Sequence, residues 1–510
     1  LVDEACDSIR ELQAEGVRFL AYTNPRLWYA GRHAEKSNGF SKTGKLWAVK
    51  DERGVAPIEH FGPDEDYVDP CPAVPEWRDF LCRRTRRVAR DAHLDGIYHD
   101  QLICATPHVC FDPSHGHRVG DPASWTSGGI WKFCNYLMGD LRKEMPELVH
   151  TSEETAEPCV NRLDGFLGWR AGRSGHVPLF QSLYSPRVQF VGRGCDFHRV
   201  PGTYESFFPK YAEQLAYGEQ IGWTHYLTVS YPSPRRGFLK KLAHCRWALA
   251  DFLNSAEMEA PLAFAEPVPK LSTEWGVCEP NPVTVDKVLH STWRHVDGRR
   301  LAMFLNVTDA PQDVTPVWTR GGKAFAICRE TSDAPVAAST APTRVKLPPY
   351  GFEFWFVGDG PSPEAVPLAR RLAKAARFWA EDRGAMLAQK PAFERTSQID
   401  ATGGRPVTPH QAAWGLLAYI PQGSQFDNSD VRPEEKDGWI AMMDGGLVNY
   451  GTVDFGTGAR SLELSLATDQ PGVRVEFFDI TGDVPERKIA AFDPEAGGWH
   501  GYRAVVSPLF

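Results

Sequence analysis

Two short apolar runs in the first third of the chain each end in carboxylates. LDGIYHDQ (Leu94–Gln101) reads as a buried strand over Gly96–His99 that stops at Asp100. LVHTSEETAEP reads as a second strand, Leu148–Ser152, that runs into Glu153, Glu154 and Glu157. A carboxylate at the C-terminal end of one strand, facing another from the next strand, is how a (β/α) barrel builds an acid/base pair.

The surrounding pattern has the order such a barrel needs. Val2–Glu15 has an apolar side of Ala5, Ile9, Leu12 and Ala14, reads as a helix, and is ended by Gly16. Val17–Tyr22 follows as a strand, then the loop TNPRLWYAG. Helix Pro75–His93 precedes the LDGIYHDQ strand, and a helix from about Gly129 to Met145 precedes LVHTS. LDGFLGW (Leu163–Trp169), VPLFQSLYS (Val177–Ser185) and Trp223–Val229 read as further strands, with helices at Tyr204–Gly218 and Gly237–Asn254. That makes six strands where a closed (β/α)8 barrel has eight. The expectation is that two βα units lie upstream of Leu1. Asp100 then ends the fourth strand and Glu153 the fifth.

The texture changes near Pro261. VLHSTWRHVDGRRLAMFLNVT alternates on both sides of Asp297-Gly298, a hairpin signal, and KAFAICRE, TRVKLPP and GFEFWFV continue the pattern. The fold class expected is therefore multidomain. Residues 1–260 form the barrel, incomplete at its N-terminus, and 261–358 an antiparallel β-sandwich. Residues 359–378 form a linker with a solvated basic helix (ARRLAKAARFW), and 379–510 a β jelly-roll module, incomplete at its C-terminus.

Composition narrows the function. The net charge is −9 and no basic run interleaves with aromatics, which argues against nucleic acid as a partner. No apolar run reaches membrane-spanning length, and no membrane partner is expected. The eleven Cys include no CxxC pair, so structural zinc is not expected and free buried thiols are. The sixteen Trp suit core packing or the stacking of sugar rings. No GxSxG elbow, GxGxxG or P-loop motif occurs.

The candidate chemistry lies on the expected barrel rim. Tyr98, His99 and Gln101 surround Asp100 with hydrogen-bonding groups that favour an ionised carboxylate, as a nucleophile requires; the structural alternative is a cap for the next loop. The three Glu of TSEETAEP repel one another, so one is expected to hold a proton or meet a cation. A general acid needs such a proton. His150 and Ser152 share one strand face, Thr151 and Glu153 the other. Glu153 is favoured as acid/base over Glu154, and Glu157 as a substrate contact; a solvated acidic loop is the alternative. The loop HVCFDPSHGH carries His108, Cys110, Asp112, His115 and His117. A metal site is one reading, but no familiar ligand spacing fits, so Asp112, His115 and His117 are taken as sugar contacts. His99, Gln101, Asn24, Arg26 and Asp164 complete the substrate contacts expected on the rim.

DGIYHDQ, CFDPSHGH, TSEETAEP and LDGFLGW resemble a family of bacterial glycoside-hydrolase-like barrels, the DUF6259 type, over about the first 355 residues. The layout is also similar to family 101 and 129 α-N-acetylgalactosaminidases. That resemblance implies Asp100 as nucleophile and Glu153 as acid/base of a retaining mechanism. DGWIAMMDGGLVNYGTVDFGTGA, VRVEFFD and GGWHGYRAVVSPL are similar to a family 6 carbohydrate-binding module. It implies Trp439, Trp499 and Tyr450 as sugar contacts and a structural calcium, for which Glu381 is the one ligand suggested. Hydrolysis itself needs no cofactor.

The expected function is glycosidic bond hydrolysis in a polysaccharide or complex glycan, in a secreted or periplasmic setting. The alternatives are a non-catalytic glycan-binding protein and a metal-dependent hydrolase using the His-rich loop.

Overall fold

The computed structural model describes residues 3–62, 65–105, 107–168, 174–192, 194, 204–224, 234–275, 281–359 and 362–377, and the segments 425–427, 439–441, 461–466, 474–479, 487–493 and 503–508. The chain divides into two compact units. One comprises residues 1–197, 204–224 and 237–383, the other 198–203, 225–236 and 384–510.

The first unit holds a five-stranded parallel sheet whose spatial order is its chain order. The strands are β1 (Leu20–Thr23), β2 (Gly96–His99), β3 (Val149–Glu153), β4 (Gly165–Leu167) and β5 (Gln189–Val191). A parallel bridge from Val191 to Gln220 carries the ladder past β5. Helix Asp3–Ala14 precedes β1, helix Pro75–Asp91 precedes β2, and a helical run over 126–144 precedes β3. This is a parallel α/β core, wound one strand at a time.

Local chemistry fixes these elements. Gly16, at φ 93°, ends the first helix: its N–H bonds Gln13 O and the Val17 N–H bonds Leu12 O, a Schellman turn. The triplet Leu-Asp-Gly occurs twice, at 94–96 and 163–165, and does the same work each time. Asp95 accepts from the Phe19 N–H at 2.9 Å, and Asp164 from the His150 N–H at 2.8 Å, so each anchors the start of a neighbouring strand. The Gly that follows lets the strands close up. A Cβ on Gly96 would lie 2.7 Å from Val149 O, and one on Gly165 would lie 3.0 Å from Gln189 O.

Between β1 and β2 the chain builds a three-stranded antiparallel sheet from Trp28–Tyr29, Asp66–Val68 and Ile58–His60. Trp28 packs among Trp47, Trp77 and Phe80 at ring separations of 5.2–5.6 Å. These tryptophans therefore serve packing; burying a side chain as large as Trp77 contributes on the order of 2–3 kcal/mol.

The second sheet of this unit is antiparallel and six-stranded, in the order Val336–Ala338, Ala324–Arg329, Phe352–Gly358, Arg300–Asn306, Val288–Arg294, Glu257–Glu259. The expected hairpin is present, with Gly298 at φ 90° in its turn. One face buries Phe304, Trp355 and Ile327 with the short strands Val345–Leu347 and Gln312–Val314. The other meets helices: Trp293 Nε1 donates to Ala216 O, and Lys241 pairs with Glu330.

Three expectations are corrected. VPLFQSLYS holds a helix, Leu179–Tyr184, and the strand follows at Gln189–Val191. Its Leu179, Phe180, Leu183 and Tyr184 fit helical spacing as well as a buried strand, and Pro178 stands at the N-cap. Trp223 and Thr224 are not in a strand, and residues 225–229 lie outside the described residues. The basic helix, 365–377, is not solvated all round: Leu368, Ala369 and Leu372 are fully buried, and Arg371 stacks on Trp247. Basic residues occupy only its outer side.

In the second unit, Gln425–Asp427 pairs with Trp439–Ala441, Ser461–Leu466 with Arg503–Pro508, and Val475–Asp479 with Arg487–Phe492, all antiparallel. Trp439 thus lies in a strand, while Tyr450, Trp499 and Glu381 fall outside the described residues. Among the described residues no helix is long and apolar enough to cross a membrane.

Candidate active site

The register of the parallel sheet sets the site. Thr23 pairs with His99 and His99 with Ser152. One step further, Asn24, Asp100 and Glu153 stand level at the C-terminal ends of β1, β2 and β3. Side chains at one level of a parallel sheet share a face. Tyr22, Tyr98 and Thr151 lie two residues earlier on that same face. The residues that follow the two carboxylates, Gln101 and Glu154, both adopt left-handed backbone, at φ 53° and 58°. Such conformations cost a non-glycine residue roughly 1 kcal/mol or more and cluster at functional sites.

Asp100 sits in a hydrogen-bonded pocket. Tyr22 OH donates to its Oδ2 at 2.5 Å, Asn24 Nδ2 to the same oxygen at 3.2 Å, and Tyr98 OH to Oδ1 at 3.4 Å. Burial and the Asp100 charge push the Tyr22 hydroxyl pKa well up, so Tyr22 stays a donor. Asn24 is held in turn, its Oδ1 accepting from the Arg26 and Leu27 N–H groups. Glu153 is buried, 8% exposed, and accepts from Cys104 Sγ at 3.0 Å. Burial, then the bond to Glu153, raises the Cys104 thiol far above its ordinary value. The Asp100 and Glu153 charges both act on Tyr22 and on Cys104, so the two carboxylates border one space.

Aromatic rings flank this space. Tyr22 and Tyr98 lie 5.9 Å apart, and Tyr98 and Trp223 lie 5.7 Å apart. Tyr22 is 60% exposed, which leaves a wet apolar surface beside the carboxylates. Rings of this kind stack against the apolar faces of sugars.

The other predicted residues divide. Gln101 and Arg26 lie in the layer behind Asp100: Asn24 Nδ2 and Arg26 Nη1 donate to Gln101 Oε1, at 3.2 and 3.3 Å. Arg26 is buried, pairs with Glu59, and reaches Asp69 at 2.8 Å, while His108 bonds Asp69 at 2.6 Å. The bond to Asp69 raises the His108 pKa. These groups are consumed by one another, so Arg26 positions the rim and does not present its charge to solvent. Glu157 is exposed at the start of a short 3-10 turn and accepts from Tyr184 OH.

His99 is corrected from substrate contact to core. It is fully buried against Phe133, on the helix side of the sheet. Its Nδ1 meets Thr23 Oγ1 at 3.3 Å and its Nε2 meets His150 Nδ1 at 3.2 Å. Burial drives both imidazole pKa values down, His150 to about 4, so both stay neutral. Asp164 is corrected too: it precedes β4, at the opposite end of the sheet from Asp100, bonded to Arg142 and the His150 N–H. Asp112 caps the turn Pro113–His115 through the Ser114 N–H. His115 and His117 turn inward, toward Cys110 and Cys71.

Tyr22, Cys104 and Trp223 were missed. Tyr22 stands two residues before Asn24 and could be placed on the same face by strand alternation alone. Trp223 and Cys104 lie in loops, where no period gives a direction.

A curated Bacteroides thetaiotaomicron protein named "Putative glycoside hydrolase" is 25% identical over 319 residues, covering 61% of this chain and 45% of that protein. A Monosiga brevicollis protein, "Putative glycoside hydrolase 22789", is 24% identical over 228 residues, covering 42% of this chain and 18% of its own length. The chain thus spans less than half the length of these curated relatives. Among solved structures, a noncanonic maltogenic α-amylase from Thermotoga neapolitana aligns with TM-score 0.43 at 14% identity, covering 69% of this chain and 80% of that one. Residues 3–194, which hold every part of the site above except Trp223, match the model of a domain of unknown function, DUF6259.

Proposed function

We propose that this chain is a retaining glycoside hydrolase in which Asp100 is the nucleophile and Glu153 the acid/base. The observation that carries the reading is the placement of the two carboxylates, level on neighbouring parallel strands and on one face. Their surroundings differ. Asp100 accepts from three neutral donors, which hold the carboxylate in place. Glu153 is the more buried and accepts from the Cys104 thiol, so it faces the space from a drier side.

In this mechanism Asp100 attacks the anomeric carbon while Glu153 gives its proton to the leaving oxygen. Water then opens the glycosyl-enzyme, with Glu153 as base. Tyr22, Tyr98 and Trp223 form the stacking wall for the sugar. The names of the curated relatives support the reaction class. Residues 379–510 extend the reading to a glycan-binding module, with Trp439, Tyr450 and Trp499 as its contacts.

The test is hydrolysis of a panel of α- and β-linked aryl glycosides and glycans by the full chain. Asp100→Asn and Glu153→Gln should each lower kcat/KM by roughly 10³-fold or more on any substrate turned over. Sugar binding by the chain with no turnover of any substrate would instead favour a non-catalytic glycan-binding protein.

A further inference from the structure

The loops after β1 and β2 bring four metal-ligating side chains together. Cys71, Cys110, His115 and His117 place one ligand atom each within 4.8 Å of all the others. Cys71 Sγ lies 3.4 Å from His117 Nε2, and Cys110 Sγ lies 3.3 Å from His115 Nδ1. With Zn–S near 2.3 Å and Zn–N near 2.05 Å, the S···N edge of a tetrahedral site is roughly 3.5 Å. Both cysteines are fully buried and His115 is 6% exposed.

Both rings are also held as ligands are held. His115 turns its Nε2 to Leu46 O at 2.8 Å, and His117 turns its Nδ1 to Arg118 O at 2.9 Å. A carbonyl only accepts, so each of these nitrogens carries the proton. The other nitrogen of each ring then presents its lone pair to the sulfurs. A carbonyl behind the non-ligating nitrogen is the usual outer support of a metal-bound imidazole. The Asp112 N–H points at Cys110 Sγ at 3.5 Å and helps fix its position.

We propose that Cys71, Cys110, His115 and His117 bind one Zn²⁺ as a closed structural site. Four protein ligands fill a tetrahedral shell and leave no position for water, so the ion acts as a staple and not as a catalyst. The staple joins the excursion after β1 to the loop after β2. Those two segments also meet through Asp69 and His108, and Asp69 holds Arg26 behind Asp100. The zinc thus fixes the wall of the Asp100 site without touching it. A second cluster, Glu59, Asp69 and His108, is not assigned an ion, because the Arg26 guanidinium already sits on both carboxylates.

The test is metal analysis of the full chain, purified reduced and without chelator. About one zinc per chain is expected. Replacement by Co²⁺ should give the intense visible bands and the thiolate charge-transfer band of a tetrahedral S2N2 site. Cys110→Ala and His117→Gln should each lose bound zinc, while Glu59→Gln should keep it. The cobalt spectrum needs no variant, so misfolding of Cys110→Ala would not spare the proposal. A chain with no zinc and no cobalt uptake, a Cys71–Cys110 disulfide in the purified protein, or full zinc content in folded His117→Gln would each overturn it. None of these readouts depends on glycosidase activity.

Discussion

Glu219 is a carboxyl group almost wholly removed from water. It lies just past helix Tyr204–Ala216 and is 5% exposed. Gln181 Nε2 donates to it at 2.6 Å. Burial raises its pKa to about 7; Lys210 and the Gln181 bond offset part of that rise, and Glu213 adds to it. With an ordinary value of 4.5, the folded protein holds a proton on Glu219 between pH 4.5 and about 7 that the unfolded chain has released. The folded state binds more protons in that window, so stability falls as pH rises through it, by about 3 kcal/mol in all. Glu219→Gln mimics the protonated acid and can still accept from Gln181. We expect Glu219→Gln to be near neutral at pH 5 and stabilising by up to about 3 kcal/mol at pH 8. Hydrogen exchange of the 204–216 amides isolates this region from unfolding of the second unit. Equal protection of the two proteins at both pH values would refute the reasoning.

Three other outcomes are expected. The neutral His99–His150 pair must charge on acid unfolding, so it contributes stability that is present above about pH 6.5 and lost as pH falls toward 4. His150→Gln should flatten the acid limb of a stability–pH curve, and an unchanged limb would contradict the assignment. Gly96→Ala forces a Cβ against Val149 O and the Leu20 side chain; it should cost about 1–3 kcal/mol in urea denaturation. Tyr22→Phe removes the 2.5 Å bond to Asp100, a hydrogen bond to a charge worth about 1.5–3 kcal/mol, so kcat/KM should drop at least about 10-fold. The fold should survive that change, as circular dichroism would show.

Much of the first unit was legible because its signals are local. The apolar runs at Gly96–His99 and Val149–Glu153, the helix before each, and the Asp297-Gly298 hairpin follow from period and turn chemistry. The shared face of Asp100 and Glu153 needed the register between the two strands, which alternation within each strand does not give. The failures are of two kinds. Leu179–Tyr184 is short and apolar, and such a run has no period that separates helix from strand. His99 and Asp164 were misread, and the grouping of the His-rich loop with Cys71 was not foreseen, because the partners are distant in sequence. His99 finds His150, Asp164 finds Arg142, and Cys110 finds Cys71, none of which a linear motif contains. Asp164 was read as a rim contact; its shared role with Asp95 emerges from the structure, where each accepts from the N–H at the start of a neighbouring strand.

The central claim is that Asp100 forms the bond to the sugar. The most direct measurement is mass spectrometry of the full chain after reaction with a 2-deoxy-2-fluoro glycosyl fluoride matched to a substrate it cleaves. The fluorine slows the second step and traps the glycosyl-enzyme. The account predicts one added glycosyl unit, on a peptide containing Asp100, and its absence in Asp100→Asn. A label on Glu153, Glu154 or Glu157 would contradict it, as would turnover with inversion and no covalent adduct.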